Sequence, residues 1–344
     1  MEPSFTSWMV IVPLLSLVAA WAGTALMLAY ASARLVDVPS DRSSHARPTP
    51  RGGGASFVVV HLLGIACCWW AGIVQPTVVA ALWVGGLLVA VVGFIDDHGH
   101  VAASVRLGCH SAACAGTIGL IGGLPPLDFG AGAIDLGWVG TGVLFLGLVW
   151  HLNLFNFMDG IDGIACLQTL VMTLTAALLV AGQSGQPMAA LPFLVLAGAT
   201  AGFLRWNWPP ARIFMGDVGS GYLGFALGTM ALWTIVEGWL TPWVWLILGG
   251  AFIADATVTL LVRAVSGSSL TEPHRSHAYQ RLSRHWRGHL PVNRALVAVN
   301  VLWLGPWAIV ATWWSRYGAA CAVAALVPVF IIAVRLGAGR AGEI

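Results

Sequence analysis

Four polar residues in the middle of the chain recur at every third position: Asn153, Asn156, Asp159 and Asp162. On a helical turn this spacing brings side chains close together on one face. Asn and Asp oxygens are hard ligands, suited to holding Mg²⁺ beside phosphates. Helix capping explains one or two such residues, but not four. An earlier apolar run ends in Phe94-Ile95-Asp96-Asp97. Adjacent carboxylates repel unless they share a cation or proton, so the pair reads as metal-linked or anion-handling, or else as a solvated helix end. Arg106 follows nine residues after Asp97, where its fork of donors could hold a phosphate in the same cavity.

Three further segments carry chemistry. In Arg212-Ile213-Phe214-Met215-Gly216-Asp217-Val218-Gly219-Ser220, glycines flank an aspartate at the start of an apolar run. Such glycines let backbone approach a ligand, and a helix N-terminus favours phosphate oxygens, although Asp217 could simply cap the helix. The segment from Asp41 through Arg42, Arg47 and Pro48-Thr49-Pro50-Arg51 to Gly52-Gly53-Gly54 combines arginines, hydroxyls and a glycine run, which reads as a phosphate cradle. Pro273-His274-Arg275-Ser276-His277 lies in the largest polar loop. Its His-x-x-His spacing lacks a third soft ligand for a metal, so a diphosphate held by imidazoles and Arg275 fits better than a metal centre.

The elements that must position these residues are membrane helices. Of 344 residues, 58% are hydrophobic and 9% charged, and the mean hydropathy is +0.84. A soluble domain carries roughly 25% charged residues. Eleven apolar stretches stand near 8–30, 54–74, 77–95, 105–123, 138–155, 161–181, 188–204, 219–236, 241–262, 293–314 and 318–336. Each approaches the roughly 20 residues a span needs. Continuous runs select helices over a barrel. The expected fold is thus all-α and polytopic, with about eleven spans forming one domain over 1–344.

All 16 basic residues are arginine. With the N-terminus outside and the C-terminus cytoplasmic, every one except Arg316 falls inside, as the positive-inside rule requires. Asp37, Asp41, Asp96, Asp97, Asp159, Asp162, Asp217, Asp255 and Glu272 gather on the same side, which that rule does not demand. Ionisable groups at membrane depth are costly, so their clustering points to a bound cation or polar substrate. Ala29-Tyr30-Ala31 has the form of a cleavage site, but Glu2 stands where a basic region would precede it, so no cleavable signal peptide is expected. The six cysteines show no Cys-x-x-Cys pair and read as core thiols.

Taken in order from residue 37 to about 282, these segments resemble the polyprenyl-phosphate N-acetylhexosamine-1-phosphate transferase superfamily. The resemblance implies a cytoplasmic active site in a bacterial inner membrane. It also implies transfer of a sugar 1-phosphate from a UDP-N-acetylated aminosugar to undecaprenyl phosphate, with release of UMP. By motif, Asn156 and Asp217 would bind Mg²⁺, with Mn²⁺ an admissible substitute. Asp96 and Asp97 would serve the lipid phosphate, with one of them a candidate base, and Asp159 and Asp162 complete the catalytic set. Arg51, Arg106, Asn153, Asn207, His274, Arg275 and His277 form the substrate-binding set.

The loop His274-Arg275-Ser276-His277-Ala278-Tyr279 and the run Pro48–Gly54 favour the initiators of O-antigen and other surface glycans over the phospho-MurNAc-pentapeptide translocase. The lipid bilayer is an expected partner and nucleic acid is not; a homo-oligomer stays open. A transporter would carry charge at the midplane and on both sides of a gate, whereas here it collects at one face. A silent membrane scaffold would not need four polar residues in register.

Overall fold

The computed structural model describes residues 5–39, 47–269 and 274–340. Asp41, Arg42, Ser43, Ser44 and His45 of the first polar loop, and Glu272 and Pro273 of the last, lie outside the described residues. Every apolar stretch is helical. In chain order the helices are α1 (Phe5–Arg34), α2 (Ala55–Trp70), α3 (Pro76–His98), α4 (Ala103–Ile121), α5 (Gly137–Met158), α6 (Ile164–Gln183), α7 (Pro187–Asn207), α8 (Asp217–Val236), α9 (Pro242–Leu248), α10 (Gly250–Val265), α11 (Ala278–His285), α12 (His289–Trp313) and α13 (Ser315–Arg335). Strand content among the described residues is limited to two short hairpins, β1 (Val36–Asp37) with β2 (Thr49–Pro50), and β3 (Leu127–Asp128) with β4 (Ala133–Ile134), both antiparallel.

Eight helices are long and apolar enough to cross a membrane. A ninth span is formed if α9 and α10, bent by 76° across Gly249, are taken together. The remaining two of the eleven stretches fall short for different reasons. Helix α2 has 16 residues, and α4 is diluted by Arg106, His110 and small polar side chains. Large apolar residues stay exposed around the outside, including Trp70, Trp138, Leu146, Leu302 and Val265, where lipid would cover them.

Inside the bundle, hydroxyls return to their own helices. Thr24, Thr169, Thr173 and Thr312 each donate to the carbonyl four residues back, which satisfies a polar group without water. At the α9–α10 break, the freed carbonyl of Leu248 accepts from Gln168 Nε2 at 2.9 Å, and Gln168 is locked in turn by Asn300.

Helix α8 is the axis of the fold and is buried along nearly its whole length. Its glycine-rich face admits backbone from both sides. The segment 50–54 runs alongside it: Phe214 N donates to Pro50 O, Gly53 N to Phe214 O and Gly54 N to Met215 O. A Cβ on Gly54 would stand 2.4 Å from Gly219 Cα. The glycine run is therefore a packing device. Its Gly53 and Gly54 amides are already bonded, which corrects the reading of this run as a phosphate cradle.

The close contact gives a direct test. Gly54→Ala forces backbone apart and should destabilise the purified protein by about 1–3 kcal/mol, read as a lower thermal unfolding midpoint in detergent. Gly116→Ala, where nothing lies within 4 Å, should leave the midpoint unchanged or raise it.

Candidate active site

The site is assembled where α3, α5 and α7 end and α8 begins. Asp97, at the end of α3, is 3% exposed. Its Oδ1 accepts from Asp217 N at 3.0 Å and its Oδ2 from Val218 N at 3.2 Å. It therefore caps α8 from a neighbouring helix, pairing N–H groups that a helix start leaves unsatisfied. Gly216 makes room for this contact. Its φ of +75° is a left-handed conformation, and a Cβ there would lie 2.4 Å from Asp97 Oδ2. Arg51 grips the same turn from the β2 side, donating Nε and Nη2 to Asp97 O at 3.0 and 2.6 Å.

The adjacent carboxylates, expected to act as a pair, are separated by their partners. Asp96 accepts from Val101 N at 2.7 Å and from Arg106 Nη1 at 2.5 Å. Arg106 also donates to Asp217 Oδ2 at 2.7 Å. The other oxygen of Asp217 accepts from Asn156 Nδ2 at 2.8 Å, and the same amide reaches Ser220 Oγ at 3.1 Å. Asn156, Asp217, Arg106 and Asp96 thus form one chain of charge-assisted bonds. Asp97 stands outside that chain with both oxygens committed to backbone, so it is not the lipid-phosphate group the sequence reading made it.

Two cavities meet at this chain. The first, about 260 Å³, is polar and is lined by Asp37, Arg51, Asp97, Asp159, Asp162 and Asp217, among others. The second, about 500 Å³, is largely apolar and runs past Arg106, Leu107, Leu146, Trp150 and Asn153. Asn156 and Asp217 line both. Asn153, whose Nδ2 bonds Val149 O, opens only onto the apolar side. Asp159 follows the last residue of α5. Burial, with the negative charges of Asp217, Asp162 and Asp97 adding to it, pushes the Asp159 carboxyl well above the usual range.

The remaining expected residues divide. Asn207 borders the polar cavity, but its amide is spent on backbone, accepting from Gly163 N at 2.8 Å and donating to Ile213 O at 3.0 Å. It braces the turn after α5. His277 is 2% exposed and bonds Asp255 Oδ1 at 3.2 Å. Asp255 also accepts from Ala278 N and Tyr279 N, both at 2.9 Å. This buried carboxylate hooks the start of α11 onto α10, and His277 serves the hook and does not line the cavity.

His274 stacks on His277 at 5.1 Å. Burial, then the neighbouring charges of His277 and Arg263, lowers its pKa to about 4, so it is neutral at pH 7. Arg275 lines a separate cavity of about 330 Å³ with Arg284 and Arg287, which adjoins the central one at Gln280 and His289.

Sequence reasoning missed Gln280, His289, Asp37 and Ser220 as residues of the site. Ser220 stood inside a recognised motif, and its one-turn spacing from Gly216 could have flagged it. His289 belonged to no motif.

The oxygen chemistry of the central cavity fits Mg²⁺. Among the described residues no group of three or more His, Cys, Asp or Glu forms a protein-only metal cage. An ion held by one carboxylate and one amide, and completed by phosphate and water, is the pattern Mg²⁺ adopts.

The sequence profile of Glycosyl transferase family 4 matches residues 79–235. A probable undecaprenyl-phosphate N-acetylglucosaminyl 1-phosphate transferase of Bacillus subtilis is 29% identical over 258 residues, covering 74% of this chain and 71% of the relative. The decaprenyl-phosphate N-acetylglucosaminephosphotransferase of Mycolicibacterium smegmatis is 31% identical over 301 residues, covering 78% and 73%. A phospho-N-acetylmuramoyl-pentapeptide-transferase of Moorella thermoacetica is 34% identical over 191 residues, covering 52% and 58%. With helices, motifs and relatives in agreement, this chain belongs to glycosyl transferase family 4, within the polyprenyl-phosphate N-acetylhexosamine-1-phosphate transferase superfamily.

Proposed function

We propose that this chain transfers a sugar 1-phosphate from a UDP-linked N-acetylated aminosugar to undecaprenyl phosphate, on the cytoplasmic side of a bacterial inner membrane. The observation that carries the reading is the meeting of a polar and an apolar cavity at Asn156 and Asp217. A lipid phosphate enters from the apolar side and a nucleotide sugar from the polar side, so the two anions meet at one pair of residues. The names of the relatives support N-acetylglucosamine as the sugar and a polyprenyl phosphate as the acceptor. The product would start an O-antigen or related surface glycan. Positive-inside sorting of the arginines supports the cytoplasmic placement.

In the reaction, an oxygen of the lipid phosphate attacks the sugar-bearing phosphorus of the donor. The bond from that phosphorus to the bridging oxygen breaks, and UMP leaves with the electron pair. A phosphomonoester has a second pKa near 6 and is largely dianionic at pH 7, so the protein's main task is alignment and charge neutralisation. Mg²⁺ held by Asn156 and Asp217 would act as a Lewis acid on the diphosphate. Arg106, at the mouth of the apolar cavity, holds the lipid phosphate, and Asp96 keeps its guanidinium in place. Asp97 aims Asp217 through the backbone. Asp159 and Asp162 shape the nucleotide side of the polar cavity.

Purified protein given undecaprenyl phosphate, Mg²⁺ and a panel of UDP-sugars should release UMP and form a lipid-diphosphate sugar, detected by mass spectrometry. Chelation should stop the reaction and added Mg²⁺ restore it. No UMP from any sugar would refute the enzyme reading. Two substitutions separate chemistry from scaffold. Asp217→Asn should cut turnover by about 100-fold or more while leaving the unfolding midpoint unchanged. Asp97→Ala strips the cap from α8, so it should cost about 0.5–2 kcal/mol of stability and lower turnover as well. Equal midpoints for Asp97→Ala and the unsubstituted chain would contradict the capping role.

A further inference from the structure

His289, the first residue of α12, stands where three cavities join: the central cavity, the arginine-lined cavity, and a third of about 510 Å³ walled by Pro209, Pro210, Phe214 and Pro291. Asp162 lines both the central and the proline-walled cavity. One oxygen of its carboxylate, Oδ2, accepts from Ala211 N at 3.0 Å and lies 3.1 Å from His289 Nδ1. The backbone N–H of Asp162 approaches the same nitrogen at 3.3 Å. Nδ1 accepts from the Asp162 amide where it carries no proton and donates to the carboxylate where it does, so the ring is tied to Asp162 in either state. One turn along α12, Asn293 Nδ2 donates to Asp162 O at 2.8 Å. The start of α12 therefore clamps Asp162 by side chain and backbone at once.

This clamp sits on the nucleotide side, away from the Arg106–Asp96 contact that faces the apolar cavity. Without the imidazole, the Asp162 carboxylate would keep the Ala211 amide alone and could swing between two cavities. We propose that His289 is a donor-positioning residue, which fixes the Asp162 carboxylate so that it presents a set hydrogen-bond acceptor to a uridine nucleotide. The proposal rests on the transferase reading and adds a residue to its nucleotide side. It assigns His289 no proton transfer and no contact with the lipid phosphate.

UMP binding to the purified full chain, measured by calorimetry without turnover, tests the clamp apart from product formation, which tests the transferase reading itself. His289→Ala should weaken UMP binding by roughly tenfold, the expected loss of one hydrogen bond to a charged group. His289→Asn keeps an N–H donor within reach and should stay within about threefold of the unsubstituted chain. The donor KM should follow UMP affinity in both variants, while the KM for polyprenyl phosphate stays constant. Unchanged UMP affinity in His289→Ala, equal weakening in both variants, or a parallel rise in the lipid KM would overturn the proposal.

Discussion

The carboxylate of Asp97 lying across the first two N–H groups of α8 is the contact on which the site depends. It fixes where α8 begins and so where Asp217 stands. Everything nearby is shaped around it. Gly216 gives up its Cβ to Asp97, Gly93 would place a Cβ 2.5 Å from Asp217 C, and Arg51 holds the Asp97 carbonyl from the hairpin. With the backbone fixed, the Asp217 side chain is free to be oriented by Asn156 on one oxygen and Arg106 on the other. A motif of two adjacent aspartates thus performs two tasks, one holding the scaffold and one holding the arginine.

The second constraint is electrostatic. Five aspartates line the central cavity with Arg51 and His289 as its basic members. Water and backbone amides can support part of that charge, but a diphosphate entering such a cavity meets repulsion. A cation resolves both problems together, because it neutralises the carboxylates that bind it and the phosphates that complete its shell. Burial, and then the same crowding of carboxylates, raises the affinity of Asp159 for its proton.

Much of this was legible in the sequence, and the misses have physical causes. Apolar stretches and arginine placement are dominated by lipid solvation, a strong and local signal, and every stretch proved helical. The count of full spans was less legible, because bending at Gly249 and the short α2 depend on packing. The three-residue spacing of Asn153, Asn156, Asp159 and Asp162 suggests one shared helical face, which the structure does not form. Helix α5 ends at Met158, so only the two asparagines share a helical face. The aspartates converge through the turn at Gly160 and Gly163, where Tyr279 and Asn207 brace the backbone. His277 looked like a ligand because histidines in polar loops commonly are. Its commitment to Asp255 is a tertiary contact between residues 22 apart that spacing alone does not encode. His289 was invisible for the same reason, since its partner lies 127 residues away.

The proposed transfer requires the carboxylate-lined cavity to take up a nucleotide diphosphate together with a divalent cation. Titrating UDP into the purified protein, with and without Mg²⁺, measures this directly. At least a tenfold tighter Kd with Mg²⁺, about 1.4 kcal/mol, is the expected result, and replacing Asp217 with Asn should remove most of that difference. Equal UDP affinity in the presence and absence of the cation would contradict the central claim.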